Sequence, residues 1–246
     1  MRFAKFIAAS VFVASALGLP QVAAHAQEDA KLRVGHFSSD APPVDIYVDG
    51  KKTFAQVKFP LMSAYTPLAS GSHTVDVRPA GGVATDPALV SLKADLAAGK
   101  NFLVTLVGPA TSLQAKLIAD DLAAPAKGKA RVRVIHTATG GPNVDVVVGG
   151  STKLFSNVAF GAATPYAEVD ATKYDLSVRE SGKTVQLVGK QVSLQEGGVY
   201  SIVAVGNPDK TVTLRGFADV PPTGTATPAG DPTGAEVTSN VPTTGP

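Results

Sequence analysis

The sequence contains no cysteine and no tryptophan, and aromatic residues make up 6% of its 246 positions. Without a thiol, the chain cannot be a thiol enzyme, a zinc-thiolate protein or an iron–sulfur protein, and no disulfide stabilises it. Carbohydrate-binding β-sandwiches commonly offer aromatic platforms to sugar rings, so the low aromatic content weakens that class. Five tyrosines, at positions 47, 65, 166, 174 and 200, keep it open.

An excess of charge of one sign is also missing. The chain has 22 basic and 20 acidic residues, and removal of Arg2 and Lys5 with a signal peptide leaves the two signs equal. The sequence has no basic run that would release counterions from a nucleic acid or attract an anionic membrane. We therefore expect no nucleic-acid partner.

The first 26 residues have the three-part layout of a secretory signal peptide. Arg2 and Lys5 precede an apolar run over residues 6–19, and Ala24 and Ala26 place small residues where a signal peptidase cleaves. The run is shorter than the roughly 20 residues that span a bilayer. We predict cleavage after Ala26, a mature chain without an integral membrane span, and a secreted, periplasmic or cell-surface location.

The rest of the sequence contains an internal repeat. Residues 33–36 return as 133–136, and residues 42–50 return as 142–150; near the ends of the copies, the alignment matches Asp121 with Asp219. A unit of about 95 residues can bury its own core, unlike the repeats of roughly 20–50 residues found in solenoids. We place the parts of the chain as follows: domain one at 31–123, a linker at 124–129, domain two at 130–220, and a disordered tail rich in proline, threonine and glycine at 221–246.

Alternation of apolar and polar residues predicts short strands in each copy. Residues 44–49 and 74–78 alternate with a period of two and end at turn residues. Residues 102–107 and 199–205 are continuously apolar, which is typical of strands buried on both faces. About six or seven strands per copy indicate an all-β fold of two tandem Ig-like, antiparallel β-sandwich domains. Two sandwiches in line would form a rod with duplicate surfaces.

Two histidines at equivalent places in the copies are the first candidates for chemistry. His36 is followed by Asp40 and Asp45, whereas His136 is followed by Asp145 and lacks the first carboxylate. One hypothesis is a metal or catalytic site built from His36, Asp40 and Asp45. The other is a half-buried histidine that bonds the backbone or Asp45 and pins the following loop. The incomplete repetition of the carboxylates favours the second.

Other motifs add little chemistry. Arg78 and Arg179 end equivalent strands and could bind an anion, although an arginine at a sheet edge more commonly pairs with a neighbouring acid. The sequence has no Gly-x-Ser-x-Gly elbow and no phosphate loop before a helix. We assign no catalytic residue, no metal site and no cofactor. The candidate binding residues are His36, Asp40, Asp45, His136, Asp145, Arg78 and Arg179.

The first copy carries a compact motif: His36, then Asp40-Ala41-Pro42, then Val44-Asp45-Ile46-Tyr47-Val48-Asp49-Gly50. This motif resembles the signature of the domain of unknown function 4397 family, and the resemblance covers nearly all of residues 31–220. The second copy departs from it at residues 140–142 and has Val147 in place of the tyrosine. The resemblance implies an extracytoplasmic β-rich module that often occurs in tandem, and it brings no accepted activity.

These observations predict an exported, non-enzymatic module that interacts with a protein or polysaccharide of the cell envelope or the extracellular space. Two alternatives stay open. One is a secreted hydrolase with a histidine and nearby carboxylates in acid–base roles. The other is a metal- or carbohydrate-binding protein that uses the His36/Asp45 and His136/Asp145 regions.

Overall fold

The computed structural model describes residues 28–207 and 211–222. The predicted signal peptide and most of the predicted tail lie outside these residues. In the first half of the chain the strands are β1 Ala30–His36, β2 Val44–Val48, β3 Lys51–Val57, β4 Thr66–Leu68, β5 Gly71–Pro79, β6 Val90–Leu96, β7 Asn101–Val107 and β8 Gln114–Asp120. In the second half they are β9 Lys129–His136, β10 Val144–Val148, β11 Thr152–Val158, β12 Ala167–Asp170, β13 Lys173–Glu180, β14 Gln186–Ser193, β15 Val199–Asn207 and β16 Thr211–Val220.

The strands form four sheets of four strands, two in each half of the chain. Domain one has an inner sheet of order β4-β1-β7-β8 and an outer sheet of order β3-β2-β5-β6. Domain two repeats the arrangement with an inner sheet β12-β9-β15-β16 and an outer sheet β11-β10-β13-β14. The predicted architecture of two tandem all-β domains is confirmed. Within the described ranges, no helix is long and apolar enough to cross a membrane.

The first strand of each domain runs parallel to the seventh. All remaining pairs of neighbouring strands are antiparallel. β1 pairs in parallel with β7, and β9 pairs in parallel with β15. Parallel neighbours need a crossover connection instead of a hairpin. Here the crossover contains all four strands of the outer sheet and the short edge strand of the inner sheet, β4 in domain one and β12 in domain two.

Each domain has its own core between its two sheets, and the strand periodicity determines which residues enter it. In β1, Leu32 and Val34 point into the first core, where they meet Val44 and Ile46 of β2. The equivalent strands fill the second core in the same way. Arg33 is buried as well, although its position in the alternation places it on the opposite face of β1.

The opposite faces of the two inner sheets pack against each other, and this contact forms a third core. Phe37, Leu103 and Val107 of domain one meet Ile135 and Val203 of domain two. The expectation of two domains in line is therefore wrong, because the domains lie face to face. The continuous apolar runs 102–107 and 199–205 have a physical reason here: one face of each run lines its own domain's core and the other face lines the contact between domains.

Candidate functional site

Four charged side chains lie buried between the inner sheets, and we call them the interface charge cluster: Arg33, Arg133, Asp120 and Asp219. Each is at most 9% exposed. The two arginines occupy equivalent positions on β1 and β9, where alternation turns them away from their own domain's core and toward the other domain. The two aspartates stand near the ends of β8 and β16, the strands that edge the inner sheets.

The ion pairs of the interface charge cluster cross between the domains. Arg33 Nη2 lies 2.6 Å from Asp120 Oδ2 in its own domain and 2.8 Å from Asp219 Oδ1 in the other. Arg133 Nη2 donates to Asp120 Oδ1 at 2.5 Å. Burial alone would lower the pKa of Arg33, but Asp219 and Asp120 outweigh it and raise that pKa above its usual value. The guanidinium therefore stays charged in a place where a lone cation would be costly.

Two tyrosines complete the cluster, one from each domain. Tyr65 donates its hydroxyl to Asp120 Oδ2, and Tyr166 donates to Asp219 Oδ2 at 2.7 Å. Their rings also face the guanidinium groups of the arginines, with distances of 4.6 Å to the ring centroids for the Arg33–Tyr65 and the Arg133–Tyr166 pairs. Burial raises the pKa of both phenols, so both remain protonated donors.

The tyrosine contacts show which aspartates are equivalent. Tyr65 and Tyr166 are repeat partners, so Asp120 corresponds to Asp219, and the alignment that matched Asp121 with Asp219 is wrong by one residue. The cause is one additional residue in the β15–β16 hairpin, because Val107 pairs with Gln114 whereas its equivalent Val205 pairs with Thr213. Asp121 instead has a 68% exposed side chain and pairs with Arg131.

The two interface arginines lie in the repeated segments 33–36 and 133–136, and the sequence alone assigns them no role. A usable signal was present, because an arginine between apolar residues recurs at the same place in both copies, as does a tyrosine about 30 residues later. A charged residue in an otherwise buried strand needs a partner. The identity of that partner, on the far edge strand and in the other domain, could not be deduced without the fold.

His36 and His136 are buried in the two sandwich cores, at 0% and 1% exposure. Each ring approaches a backbone carbonyl with Nε2: Pro42 O for His36 and Pro142 O for His136, both at 3.0 Å. Because a carbonyl only accepts, Nε2 carries the proton, and each Nδ1 is left without a partner. Burial lowers the pKa of both rings. The neutral histidines pin the loop that follows their strand.

Asp45 and Asp145 hold the backbone of the outer sheets. Asp45 Oδ1 accepts from the backbone N–H of Gln56 at 2.8 Å, and Oδ2 accepts from Lys52 at 2.6 Å and from the N–H of Gly81 at 3.1 Å. Burial would raise the pKa of Asp45, but these donors outweigh it and lower that pKa.

Domain two repeats this arrangement with its own residues. Asp145 accepts from the N–H of Asn157 at 2.8 Å and from Ser181 Oγ at 3.0 Å, and it pairs with Lys153 at 2.7 Å. The Lys153 bond is the main reason that the pKa of Asp145 is lowered. Asn157 and its counterpart Gln56 both have positive φ, near 54° and 55°, so each aspartate caps a left-handed bulge in its sheet.

The remaining predicted residues have separate partners. Asp40 accepts from Ser38 Oγ at 3.2 Å and from the N–H of Ala110 at 3.1 Å. Arg78 pairs with Asp76 at 2.9 Å. Arg179 donates to Ser177 Oγ at 3.1 Å and to the Gly150 carbonyl at 2.9 Å.

The histidines and carboxylates of the predicted set are therefore not brought together. His36 bonds a backbone carbonyl, while Asp40 and Asp45 bind donors in different loops. Among the residues that the structure describes, no group of three or more histidine, aspartate or glutamate side chains is placed to hold a metal ion. The set that does converge is the interface charge cluster.

A cleft at one end of domain one carries further polar groups. It has a volume of about 500 Å³ and lies between the β2–β3 hairpin, β4 and the start of β5. Asp49 Oδ2 lies 2.6 Å from His73 Nδ1 on one wall, and His73 Nε2 lies 2.7 Å from the Ala69 carbonyl oxygen. The bond to Asp49 raises the pKa of His73.

These features define a tandem β-sandwich protein whose two domains are joined through a buried charge cluster. The chain belongs to the family described as Domain of unknown function (DUF4397), whose model matches residues 30–147 and 138–230. The resemblance seen in the motif at residues 36–50 is thereby confirmed. A search of curated proteins returned no significant match.

Three solved structures were among the matches in a structural comparison. The carbohydrate-binding module CBMbc (family CBM26) from Eubacterium rectale Amy13K, in complex with maltoheptaose, is 13% identical with a TM-score of 0.26, and the match covers 78% of this chain and 98% of that one. A structure described as alpha-glucan binding by a streptococcal virulence factor is 10% identical with a TM-score of 0.25, covering 75% and 96%. The Bacillus anthracis TIE protein is 10% identical with a TM-score of 0.24, covering 72% and 34%. These scores carry no functional argument.

Proposed function

We propose that this chain is an exported, non-enzymatic interaction module of the cell envelope or extracellular space, and that its two domains act as one rigid body. The proposal rests on the hydrogen bonds of the polar residues that both domains share. His36, His136, Asp45 and Asp145 each bind backbone groups of their own domain. Side chains committed to holding loops and bulges are not available as acids, bases or nucleophiles.

Rigidity between the domains follows from the contact between the inner sheets. Separation of the domains would break the Arg33–Asp219 and Arg133–Asp120 pairs together. The apolar residues of the third core would be exposed in the same step. A single rigid body presents its outer surfaces in fixed geometry, which favours simultaneous engagement of an extended or repetitive partner.

An export location is part of this proposal and has a direct test. The full-length chain is expressed in a bacterial host, and the envelope, periplasmic and medium fractions are probed for the protein. N-terminal sequencing of the exported product is expected to begin at Gln27. A product that keeps its first residues and stays in the cytoplasm would contradict the proposal.

The interaction role is tested by co-sedimentation of the mature protein with purified cell walls, with a heat-denatured sample as the control. Saturable retention by the walls or by their extracted polysaccharide is the expected result. Loss of retention after protease treatment of the walls would make the partner a protein. Absence of binding to walls, extracted polysaccharide and envelope proteins alike would contradict an envelope module.

The non-enzymatic part is tested on the two histidines. NMR titration of His36 and His136 in the mature protein is expected to show rings that are neutral at pH 7, with pKa values lowered by burial, and that ignore added Zn²⁺. A ring that titrates freely and whose signals shift with Zn²⁺ would favour the metal-site or hydrolase alternative instead.

A further inference from the structure

The cleft of domain one lies at the mouth of the sandwich, where the ends of its two sheets leave an opening. The residues around it are Val48, Asp49, Lys51, Lys52, Thr53, Thr66, Pro67, Leu68 and His73. Its volume of about 500 Å³ lies within the range of roughly 300–1,000 Å³ that is typical of small-molecule sites. We propose that this cleft binds a saccharide of one or two rings.

Domain two provides a matched comparison, because four of the equivalent positions there line a smaller, apolar hollow. The corresponding hollow has a volume of about 20 Å³, and its walls include Leu154, Val169 and Tyr174. Such a space holds about one water molecule. Apolar side chains at these positions are therefore compatible with the fold. The polar residues that line the cleft of domain one are not needed to build the sandwich.

Strand register identifies which residues have changed between the mouths. Lys51 pairs with Val48 as Thr152 pairs with Val148, so Thr152 stands in the place of Lys51. By the same register, Leu154 replaces Thr53 and Tyr174 replaces His73. Gly149 replaces Asp49 in the turn. Four polar or charged groups of the first mouth thus lie at positions that domain two fills differently.

One wall of the cleft is fixed before any ligand arrives. Asp49 Oδ1 accepts from the N–H of Thr74 at 2.8 Å, and Oδ2 lies 2.6 Å from His73 Nδ1. The Asp49 side chain is nevertheless 54% exposed, so its oxygens keep lone pairs that face solvent. A carboxylate held in this way can accept from two neighbouring hydroxyls without losing conformational freedom on binding.

The other polar groups of the cleft are mainly donors. No described residue pairs with the Lys51 ammonium, and Lys51 is exposed. Lys52 is different, because its ammonium is bound to Asp45 at 2.6 Å and contributes only its stem to the cleft. The Thr66 hydroxyl can donate and accept, whereas the Thr53 hydroxyl already donates to the Lys51 carbonyl at 3.1 Å and offers an acceptor.

The chemistry of the lining identifies the ligand class. The Asp49 carboxylate on one side, the Lys51 ammonium and the Thr66 hydroxyl on the other, and apolar surface at Pro67 and Leu68 match a molecule with many hydroxyls and apolar C–H faces. A sugar ring has both features, and an anionic sugar would additionally satisfy the Lys51 ammonium. This inference rests on the proposed role as an envelope interaction module and assigns that role a place and a ligand class.

The test uses the mature two-domain protein with isotope labelling and a panel of free sugars: glucose, galactose, N-acetylglucosamine, glucuronate, galacturonate, maltose and cellobiose. At least one sugar is expected to shift the amide signals of residues 49–53 and 66–68 in a saturable way. Signals of the matched segment 149–154 are expected to stay unchanged. If no sugar of the panel shifts the first segment, or if inorganic phosphate produces the same shifts, the assignment to saccharide is overturned.

A variant that copies the equivalent positions of domain two tests the site itself. It combines Asp49→Gly, Lys51→Thr, Thr53→Leu and His73→Tyr, and Lys183→Thr serves as a control that removes an exposed lysine elsewhere. We expect the fourfold variant to bind the sugar at least tenfold more weakly and the control to bind as the parent does. Lys51→Thr alone, at an exposed position, keeps the test valid if the fourfold variant does not fold.

The two proposals can fail separately. If the fourfold variant folds and still binds the sugar, or still co-sediments with cell walls as strongly as the parent, the cleft is not the site while the envelope role stands. If the parent protein binds neither sugars nor walls, both proposals fall.

Discussion

The two domains have the same strands and the same loop-pinning residues, yet they differ at the mouth of the sandwich and in the interface charge cluster. His36 and Asp45 recur with their hydrogen bonds as His136 and Asp145. At the mouth, domain one has a polar cleft of about 500 Å³, whereas equivalent positions of domain two line an apolar hollow of about 20 Å³. The comparison teaches that recurrence within one chain marks residues that build the fold, whereas divergence at an equivalent place marks residues that the fold does not require.

The interface charge cluster is also asymmetric, because its two equivalent aspartates pair with different numbers of arginines. Asp120 binds both interface arginines, whereas Asp219 pairs with Arg33 and otherwise accepts from Tyr166 and Ser201. Ser201 also accepts from Arg133 Nε at 2.8 Å and occupies the place that Leu103 holds in domain one. Equivalent aspartates therefore carry unequal shares of the contact.

The largest effect is expected for Asp120→Asn. This change leaves two buried guanidinium groups without their shared carboxylate, and we expect the free energy of unfolding to fall by about 3–5 kcal/mol. Asp219→Asn is expected to cost less, about 1–3 kcal/mol, because it removes the partner of one arginine and leaves an oxygen for the hydroxyl donors. Urea unfolding followed by far-UV circular dichroism measures both. Asp121→Asn, in an exposed pair, is the control at about 0–1 kcal/mol; equal losses for all three would contradict the asymmetry.

Asp45→Ala and Asp145→Ala test the residues that the domains share. Each removes a buried carboxylate that accepts from a partly buried backbone N–H at a bulge, which costs about 1–3 kcal/mol. We expect the same loss from the two variants, together with faster hydrogen exchange at the amides of Gln56 and Asn157 in the respective domain. A large loss in one domain and none in the other would show that the shared motif has different roles in the two copies.

The bulges themselves provide a smaller and asymmetric prediction. Gln56 and Asn157 both adopt left-handed conformations, which cost a residue with a side chain roughly 1–2 kcal/mol unless it is asparagine or aspartate. Gln56→Gly is therefore expected to stabilise the protein by up to about 1 kcal/mol, and Asn157→Gly is expected to change little. Thermal unfolding measures both changes. If Gln56→Gly destabilises the protein, the contacts of the Gln56 side chain contribute more free energy than its left-handed conformation costs, and the prediction is wrong.

The smallest effect is a pH dependence confined to domain one. His73 faces two acceptors, Asp49 and the Ala69 carbonyl, so both contacts are hydrogen bonds only when the ring is protonated. Its pKa is raised by Asp49. The stability that this pair contributes is therefore present at low pH and is lost as pH rises through the raised pKa of His73.

Solvent screening at the half-exposed Asp49 limits this contribution to less than about 1 kcal/mol. The measurement is hydrogen exchange at residues 69–74 between pH 5.5 and 8.5, compared at equal intrinsic exchange rates. His73→Tyr, which copies Tyr174 of domain two, is expected to remove the pH dependence. An unchanged pH dependence in that variant would assign it to another group.

The repeat and the strand periodicity predicted the domain architecture correctly because both are local properties of the chain. Alternation in residues 44–48 identified strand β2, although all five of its residues are buried and not every second one. The apolar run 102–107 identified a strand buried on both faces. The packing of the inner sheets was not predictable, because the sequence of residues 120–129 does not determine which sheet faces come into contact. The same limit applies to the site: the role of Arg33 depends on Asp219, which lies at the opposite end of the described chain.

The connection between Arg33 and Asp219 also has a consequence for the order of folding. The first strand of domain one and the last strand of domain two are joined by one ion pair, and each domain already needs its seventh strand to cover the first. Contacts between segments so distant in sequence form late and make folding slow, because a long loop must close before they contribute. The Arg33–Asp219 pair, and with it the complete interface charge cluster, therefore forms only after β16 has been synthesised.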